Sequence, residues 1–225
     1  MPENPVIVNV GCGASPTDGA VNLDNSFSVA LGRHLGIVRF LRKIHLISRD
    51  QMDYAVFCSE HGIVRASCFS LPFSDHSVDV VYTSHMMEHL PKEKLPELFR
   101  EVLRVLKQDG FFRIALPDMR IMVEKYLKDG DCDALIEAEL LSPQTGTFAE
   151  RIRLLLFGFR GHHWMYDAAS FEKLLRKSGF GNIVKLPQGE TTIPFPTKID
   201  LSERADESFY LECRPPKGEK GETDK

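Results

Sequence analysis

The chain has 225 residues, a formal net charge of −4, and a composition that is 43% hydrophobic and 27% charged. These values suit one ordinary globular domain, exclude a global attraction for nucleic acid, and leave no apolar run long enough to span a bilayer. The five cysteines are far apart with no CxxC pair, and no signal peptide precedes them, which favours a reduced, cytoplasmic protein without a disulfide framework or a zinc finger.

Short apolar runs alternate with amphipathic stretches, which predicts an α/β domain with a doubly wound, mostly parallel sheet. The helices are predicted over residues 95–107, with Pro96 in the first turn, and over 171–177, with Ser170 as the N-cap. The predicted strands cover residues 6–10, 20–23, 78–82, 111–116, 183–186 and 209–213.

Residues 1–214 are predicted to form this domain, followed by a disordered tail over 215–225. Two segments, 28–60 and 119–165, break the alternation and are predicted to be insertions on the ligand side. Within the first, apolar residues recur at helical spacing over 28–47, with basic residues between them. We interpret it as a lid over the ligand; a helix lying on an anionic membrane and a dimer contact are the alternatives.

A glycine-containing turn follows the first predicted strand. The segment VNVGCGASP places Gly11, Cys12 and Gly13 directly after an apolar run, and the next run ends in Asp24. Glycine lets the backbone approach a ligand closely, and a carboxylate at the neighbouring strand end can accept hydrogen bonds from a ribose diol. The sequence therefore predicts a nucleotide-type site here. Only eleven positions separate Gly13 from Asp24, so a full crossover helix does not fit between these strands.

Four blocks, in order along the chain, resemble the class I S-adenosylmethionine-dependent methyltransferases. The resemblance is greatest to a small bacterial branch that is often linked to gene clusters for cell-surface glycans. It implies a Rossmann-like sheet of seven strands, the last of them antiparallel, and S-adenosylmethionine as the cofactor. The blocks cover residues 8–16, 65–90, 95–118 and 161–180.

The resemblance also implies roles for individual residues. Gly11 and Gly13, with Cys12 between them, would face the methionine part of the cofactor, and Asp24 would bind the ribose hydroxyls. Many relatives carry an acid where this chain has Ser67, so adenine recognition would rest on backbone groups. The other implied cofactor contacts are Ser67 and Cys68 beside the adenine and His85 after the fourth strand.

One motif suggests different chemistry. His85, Glu88 and His89 match the HxxEH pattern of some zinc peptidases. The motif starts at the end of a buried strand, and Pro91 disturbs any helix just after it. We interpret Glu88 and His89 as bracing the strand-to-helix corner and predict no metal. An acid–histidine pair near the acceptor, and more remotely a zinc peptidase, are the alternatives.

Methyl transfer from a sulfonium is a direct displacement, so the enzyme must align the reactants and, for a hydroxyl acceptor, supply a base. His163, Asp118 and Arg120 are the predicted catalytic residues, because they follow a strand or precede a helix near the same sheet edge. His162 and Tyr166 are further candidates. Asp118 has an alternative as a helix cap, and the two histidines as ordinary loop residues.

The predicted function is methylation of a small-molecule or glycan acceptor at a hydroxyl. No Asp-Pro-Pro-Tyr or Asn-Pro-Pro-Tyr tetrapeptide follows the fourth strand, which disfavours amino nitrogens of bases or of glutamine, and no basic track with aromatics points to nucleic acid. Membrane contact is not favoured, and the sequence does not predict an oligomeric state. The alternatives are C- or N-methylation of a small metabolite and a regulator that binds S-adenosylmethionine without catalysis.

Overall fold

The computed structural model describes residues 4–44, 46–138 and 161–217. Its central feature is a seven-stranded sheet with the order β3-β2-β1-β4-β5-β7-β6, in which β7 is antiparallel to both neighbours and the other pairs are parallel. This confirms the predicted fold class. The strands are β1 (Ile7–Val10), β2 (Val21–Asp24), β3 (Val64–Arg65), β4 (Val78–Ser84), β5 (Leu106–Pro117), β6 (Gly181–Leu186) and β7 (Ser208–Arg214).

Helices lie in the connections from β2 to β3, from β4 to β5 and from β5 to β6. Residues 11–20 form turns without a helix, in agreement with the short spacing before β2. None of the helices in the described ranges is long and apolar enough to cross a bilayer. They are α1 (Phe27–Gly32), α2 (Leu35–Lys43), α3 (Arg49–Glu60), α4 (Leu95–Val105), α5 (Met119–Asp129), α6 (Cys132–Ala138) and α7 (Ala168–Lys177).

The main core lies between the sheet and helices α4 and α7. Phe99 of α4 packs edge-on at 5.9 Å from the rings of both Phe171 and Phe180. Phe112 of β5 lies under the same aromatic group, 5.5 Å from Phe180. Because both strands and helices present their apolar residues here, the carboxyl ends of β1, β2, β4 and β5 are held rigidly beside one another.

Three predicted boundaries were wrong, each for a tertiary reason. The helix predicted to reach residue 107 ends at Val105, because Leu106 pairs with Val78 and begins β5. The strand predicted to begin at residue 111 begins at Leu106, and the pairing register shifts within its first residues. The N-cap of α7 is Asp167, and Ser170 completes a capping box with it.

The amphipathic segment over 28–47 forms two helices, α1 and α2, rather than one. Val38 is fully buried against α3, whereas Ile37, Phe40 and Ile44 are exposed on the other side of α2. These helices and α3 together form the connection from β2 to β3. The second predicted insertion begins with α5 and α6. Residues 139–160 of it lie outside the described residues, as does the tail beyond 217.

Candidate functional site

The turn after β1 lies over the end of β2. The backbone N–H groups of Gly11 and Cys12 both donate to the Leu23 carbonyl, at 2.8 and 3.0 Å. Gly11 and Gly13 have φ values of +72° and +51°, a region in which glycine is favoured. A Cβ at Gly11 would overlap the Met86 side chain, whereas a Cβ at Gly13 would meet no protein atom within 4 Å. Packing therefore requires glycine at position 11, and open space lies above Gly13.

Asp24 ends β2 beside this turn. Its carboxylate accepts N–H bonds from Gly13, at 3.3 Å, and from Ser26, at 2.7 Å. Burial, followed by the charge of Asp24, raises the pKa of Cys12 to about 12 and also raises the pKa of Tyr54 on α3. Asp24 is thus a half-buried acid, with lone pairs to spare, at the edge of open space.

The loop after β3 is tied to the same place. Ala66 donates its N–H to the Asp24 carbonyl at 3.2 Å. Ser67 and Cys68 follow immediately and are half-buried. The Ser67 hydroxyl accepts the Phe69 N–H at 3.2 Å, so this side chain is used within its own turn. The structure thus places the predicted adenine loop next to the predicted ribose acid.

His85 follows β4 in a left-handed conformation, with φ of +46°. Its Nδ1 lies 3.2 Å from Arg204 Nη1 and 3.5 Å from Glu88 Oε1, and its Nε2 lies 2.7 Å from Ser208 Oγ. Because the nearer Arg204 can only donate, we assign the acceptor role to Nδ1 and the proton to Nε2. Burial, together with the positive charge of Arg204, lowers the pKa of His85 to about 3. His85 is therefore neutral near pH 7 and is fixed toward β7 and its preceding loop.

Glu88 lies one turn beyond His85, in a short 3₁₀ turn over Met87–His89. Its side chain is almost fully buried, and Oε1 is 4.0 Å from Nε2 of His162. The Glu88 carbonyl accepts the backbone N–H groups of His163, at 2.7 Å, and Trp164, at 3.3 Å. These bonds hold the segment before α7 against the end of β4. The backbone of Glu88 thus ties this distant segment to the end of β4, whereas the predicted bracing of the strand-to-helix corner stays a prediction.

Asp118 and Arg120 lie at the end of β5. Asp118 is buried and its side chain accepts the Arg120 N–H at 3.0 Å, so it is the N-cap of α5. Arg120 is exposed along an open groove of about 540 Å³ that it shares with Asp167. Tyr166 is buried and its carbonyl accepts the Met119 N–H. The side chain of Arg120, unlike that of Asp118, is thus accessible to a ligand.

The structure brings most of the predicted cofactor residues together around Asp24, namely Gly11, Cys12, Gly13, Ser67 and Cys68. His85 contacts Arg204 and Ser208 instead. Among the predicted acceptor residues, His163 adjoins Glu88, and Asp118 and Arg120 lie at the end of β5. Sequence reasoning missed Tyr54, Ser208 and Arg204, which lie in segments without a motif. It also did not place His162 beside Glu88. The side chain of His162 is buried, whereas that of its neighbour His163 is exposed.

Comparison with known proteins fits this arrangement. Residues 42–114 match a family model described as a methyltransferase domain. The fold is similar to that of a solved S-adenosylmethionine-dependent methyltransferase from Thermotoga maritima, at 14% identity and a TM-score of 0.50, with 95% of this chain and 83% of that one covered. Residues 42–114 are thus similar in sequence to a methyltransferase domain, and the chain shares its fold with an S-adenosylmethionine-dependent methyltransferase.

Two further similarities define the extent of the likeness. The glycopeptide N-methyltransferase MtfA has a TM-score of 0.51 at 13% identity, with 96% of this chain and 85% of that one covered, which shows the shared fold. An uncharacterised methyltransferase of Mycobacterium leprae (strain Br4923) is 30% identical over 109 residues, which is 48% of this chain and 36% of that protein. The chain thus spans only about a third of the length of that relative.

S-adenosylmethionine is the cofactor named for the similar Thermotoga maritima protein, and the residues around Asp24 would suit it. The open space above Gly13 leaves room for the methionine part, and the Asp24 carboxylate has acceptor capacity for a ribose diol. Backbone groups of Ser67 and Cys68 would hold the adenine.

Proposed function

We propose that this methyltransferase transfers a methyl group from S-adenosylmethionine to a hydroxyl of a small-molecule or sugar acceptor. The observation that carries the proposal is the convergence of two sites at one sheet edge. The cofactor-type residues follow β1, β2 and β3, and a group of histidines with Glu88 follows β4. In parallel sheets, strands that end together present their side chains to one crevice.

The chemistry explains why the residues near β4 matter. The cofactor supplies an already activated methyl group, so the protein has to align the acceptor and exclude water. An alcohol is a weak nucleophile until its proton is removed, and histidine is the side chain best suited to remove it near neutral pH. His85 is held between Arg204 and Ser208, and its pKa is low, so it binds a proton weakly. His163, in contrast, is exposed beside Glu88. We therefore assign the base role to His163.

Two alternatives belong to the same site. C- or N-methylation of a small metabolite would use the same cofactor residues without needing a strong base. A regulator that binds the cofactor without catalysis would lack a usable acceptor pocket. Arg120 lines an accessible groove of about 540 Å³ at the end of β5, which favours an enzyme over such a regulator.

Replacing His163 by Ala is expected to lower turnover about 100-fold while leaving affinity for S-adenosylhomocysteine unchanged, because general bases contribute at least this much. Release of S-adenosylhomocysteine would be followed over a panel of sugars and small alcohols. His61→Ala, a change at an exposed histidine ending α3, is the matched control. Equal turnover in the two variants would remove His163 from the mechanism.

The exposed side of α2 supports a proposal about location rather than chemistry. Ile37, Phe40 and Ile44 are about half exposed, and Arg39 and Lys43 lie exposed among them. An apolar strip with basic residues suits the surface of an anionic bilayer, where a lipid-linked acceptor would be met. The lid over the cofactor and the dimer contact are the competing interpretations of the same surface.

If this surface meets an anionic bilayer, the protein will sediment with vesicles containing anionic lipid, and Arg39→Glu/Lys43→Glu will abolish this, because each basic residue near such a surface contributes about 1 kcal/mol. Lys125→Glu/Lys128→Glu on α5 makes the same change in net charge at exposed positions elsewhere. Equal sedimentation of both variants would exclude the α2 surface as the contact. A lid would show instead as weaker cofactor binding in the α2 variant.

A further inference from the structure

The side chains of Glu88, His89 and His162 form a compact cluster beside the end of β4. One ligand-type atom from each residue lies within 4.8 Å of the others, and the Glu88 and His162 side chains are buried. We propose that this Glu–His cluster binds a divalent transition-metal ion, with Zn²⁺ as the ion that its donors suit best. One carboxylate and two imidazoles are the protein ligands of a catalytic zinc site that keeps a position open.

The orientation of His89 supports a ligand role. Its Nδ1 lies 3.2 Å from the Gly161 carbonyl, which can only accept, so Nδ1 carries the proton and Nε2 keeps its lone pair. A metal-bound histidine commonly donates its second ring N–H to a carbonyl in this way, which fixes the tautomer and the ring orientation. A metal ion bound to His89 would therefore take Nε2, the ring nitrogen that does not face the Gly161 carbonyl.

Backbone bonds hold the two halves of the cluster together. Glu88 and His89 belong to the turn after β4, and His162 belongs to the segment before α7. His163 and Trp164 donate their N–H groups to the Glu88 carbonyl, so His162 cannot move far from Glu88. The donor atoms of a tetrahedral zinc site are separated by roughly 3.3 Å, so the cluster closes by roughly 1.5 Å when the ion binds. Side-chain rotation can supply such a movement.

The proposed metal site differs from the prediction made from the sequence, which expects no metal here. That prediction rested on the motif lacking a continuous helix, as the 3₁₀ turn and Pro91 show. The third ligand is His162 rather than His85. The Nδ1 of His85 accepts from Arg204, and its Nε2 proton faces Ser208, so neither ring nitrogen offers a lone pair to the cluster.

The role that we infer for the ion rests on the proposed function. An acceptor hydroxyl that occupies the open position would lose its proton more readily, because a bound cation lowers the pKa of its oxygen ligand. The proton passes to His163, the oxygen forms the bond to the methyl carbon, and the carbon–sulfur bond breaks with its electron pair going to sulfur. The products are the methyl ether and S-adenosylhomocysteine.

The test is a titration of the chelator-treated full chain with Co²⁺, followed by displacement with Zn²⁺. We expect one equivalent to bind, with a visible absorption band of a four- or five-coordinate ion, and Zn²⁺ to displace it with micromolar or tighter affinity. Glu88→Gln and His89→Gln should each weaken binding at least 100-fold, since each removes a ligand. The exposed His34→Gln should bind like the unchanged protein.

His89 is half-buried, so His89→Gln keeps the test valid if the Glu88 variant fails to fold. Absence of a Co²⁺ band in the folded protein, or equal affinity in His89→Gln and His34→Gln, would overturn the metal site. Titration with S-adenosylhomocysteine on the same samples separates the two proposals. Cofactor binding without Co²⁺ binding refutes only the metal, and Co²⁺ binding without cofactor binding refutes only the methyl transfer.

Discussion

Replacing Asp24 by Ala is expected to weaken binding of S-adenosylhomocysteine about 100-fold. The carboxylate accepts N–H bonds from Gly13 and Ser26 and is the one group assigned to the ribose diol. Hydrogen bonds to charged groups contribute about 1.5–3 kcal/mol each, and the loss of two at the lower end of this range corresponds to about 100-fold in Kd. Isothermal titration calorimetry of the two proteins measures it directly.

Asp18→Ala is the matched control for this change. Asp18 lies in the same connection between β1 and β2, but its side chain is exposed and meets only Lys198, at 3.4 Å. The control removes the same charge without touching the turn around Gly13, so its affinity should equal that of the unchanged protein. Similar affinities in the Asp24 and Asp18 variants would contradict the assignment of the ribose site.

The second large effect concerns stability. Arg113 on β5 and Glu212 on β7 form an ion pair at 3.0 Å with both side chains fully buried. Arg113 also donates to the carbonyls of Glu190 and Leu201, so it anchors the connection that brings Arg204 to His85. Arg113→Leu leaves the Glu212 charge buried without this partner. The free energy of unfolding should fall by about 3–5 kcal/mol, as measured by denaturant titration.

The double variant Arg113→Leu/Glu212→Leu should recover part of this loss, because a well-packed apolar pair removes the uncompensated charge. Lys198→Ala breaks an exposed pair with Asp18 and should cost less than about 1 kcal/mol. A cost below about 1 kcal/mol for Arg113→Leu would show that water or rearrangement compensates Glu212.

The parts of the fold that sequence predicted are those with one dominant local signal. β1 and β4 are short apolar runs that are buried throughout, and α4 has an apolar face that its helical period reveals. Leu106 was assigned to the helix because it fits that period, yet it pairs with Val78 in the sheet. A side chain that satisfies both patterns is placed by its tertiary partner, which sequence periodicity does not contain.

The candidate site was predictable to a similar extent. Gly13 and Asp24 follow strands in a recognisable order, so their meeting at one edge was expected. The approach of His162 to Glu88 joins residues far apart in the chain, and it depends on backbone bonds from His163 and Trp164 that no motif encodes. The cap role of Asp118 was foreseen as an alternative, because an acid before a helix commonly accepts its first free N–H groups.

The proposed function requires S-adenosylmethionine to bind between the Gly13 turn and Asp24. The most direct test is calorimetric titration of the unaltered protein with S-adenosylhomocysteine. The structure predicts binding at one site per chain with micromolar affinity or better. No measurable binding, in either the chelator-treated or the Zn²⁺-loaded protein, would contradict the assignment of the glycine turn and Asp24 to the cofactor.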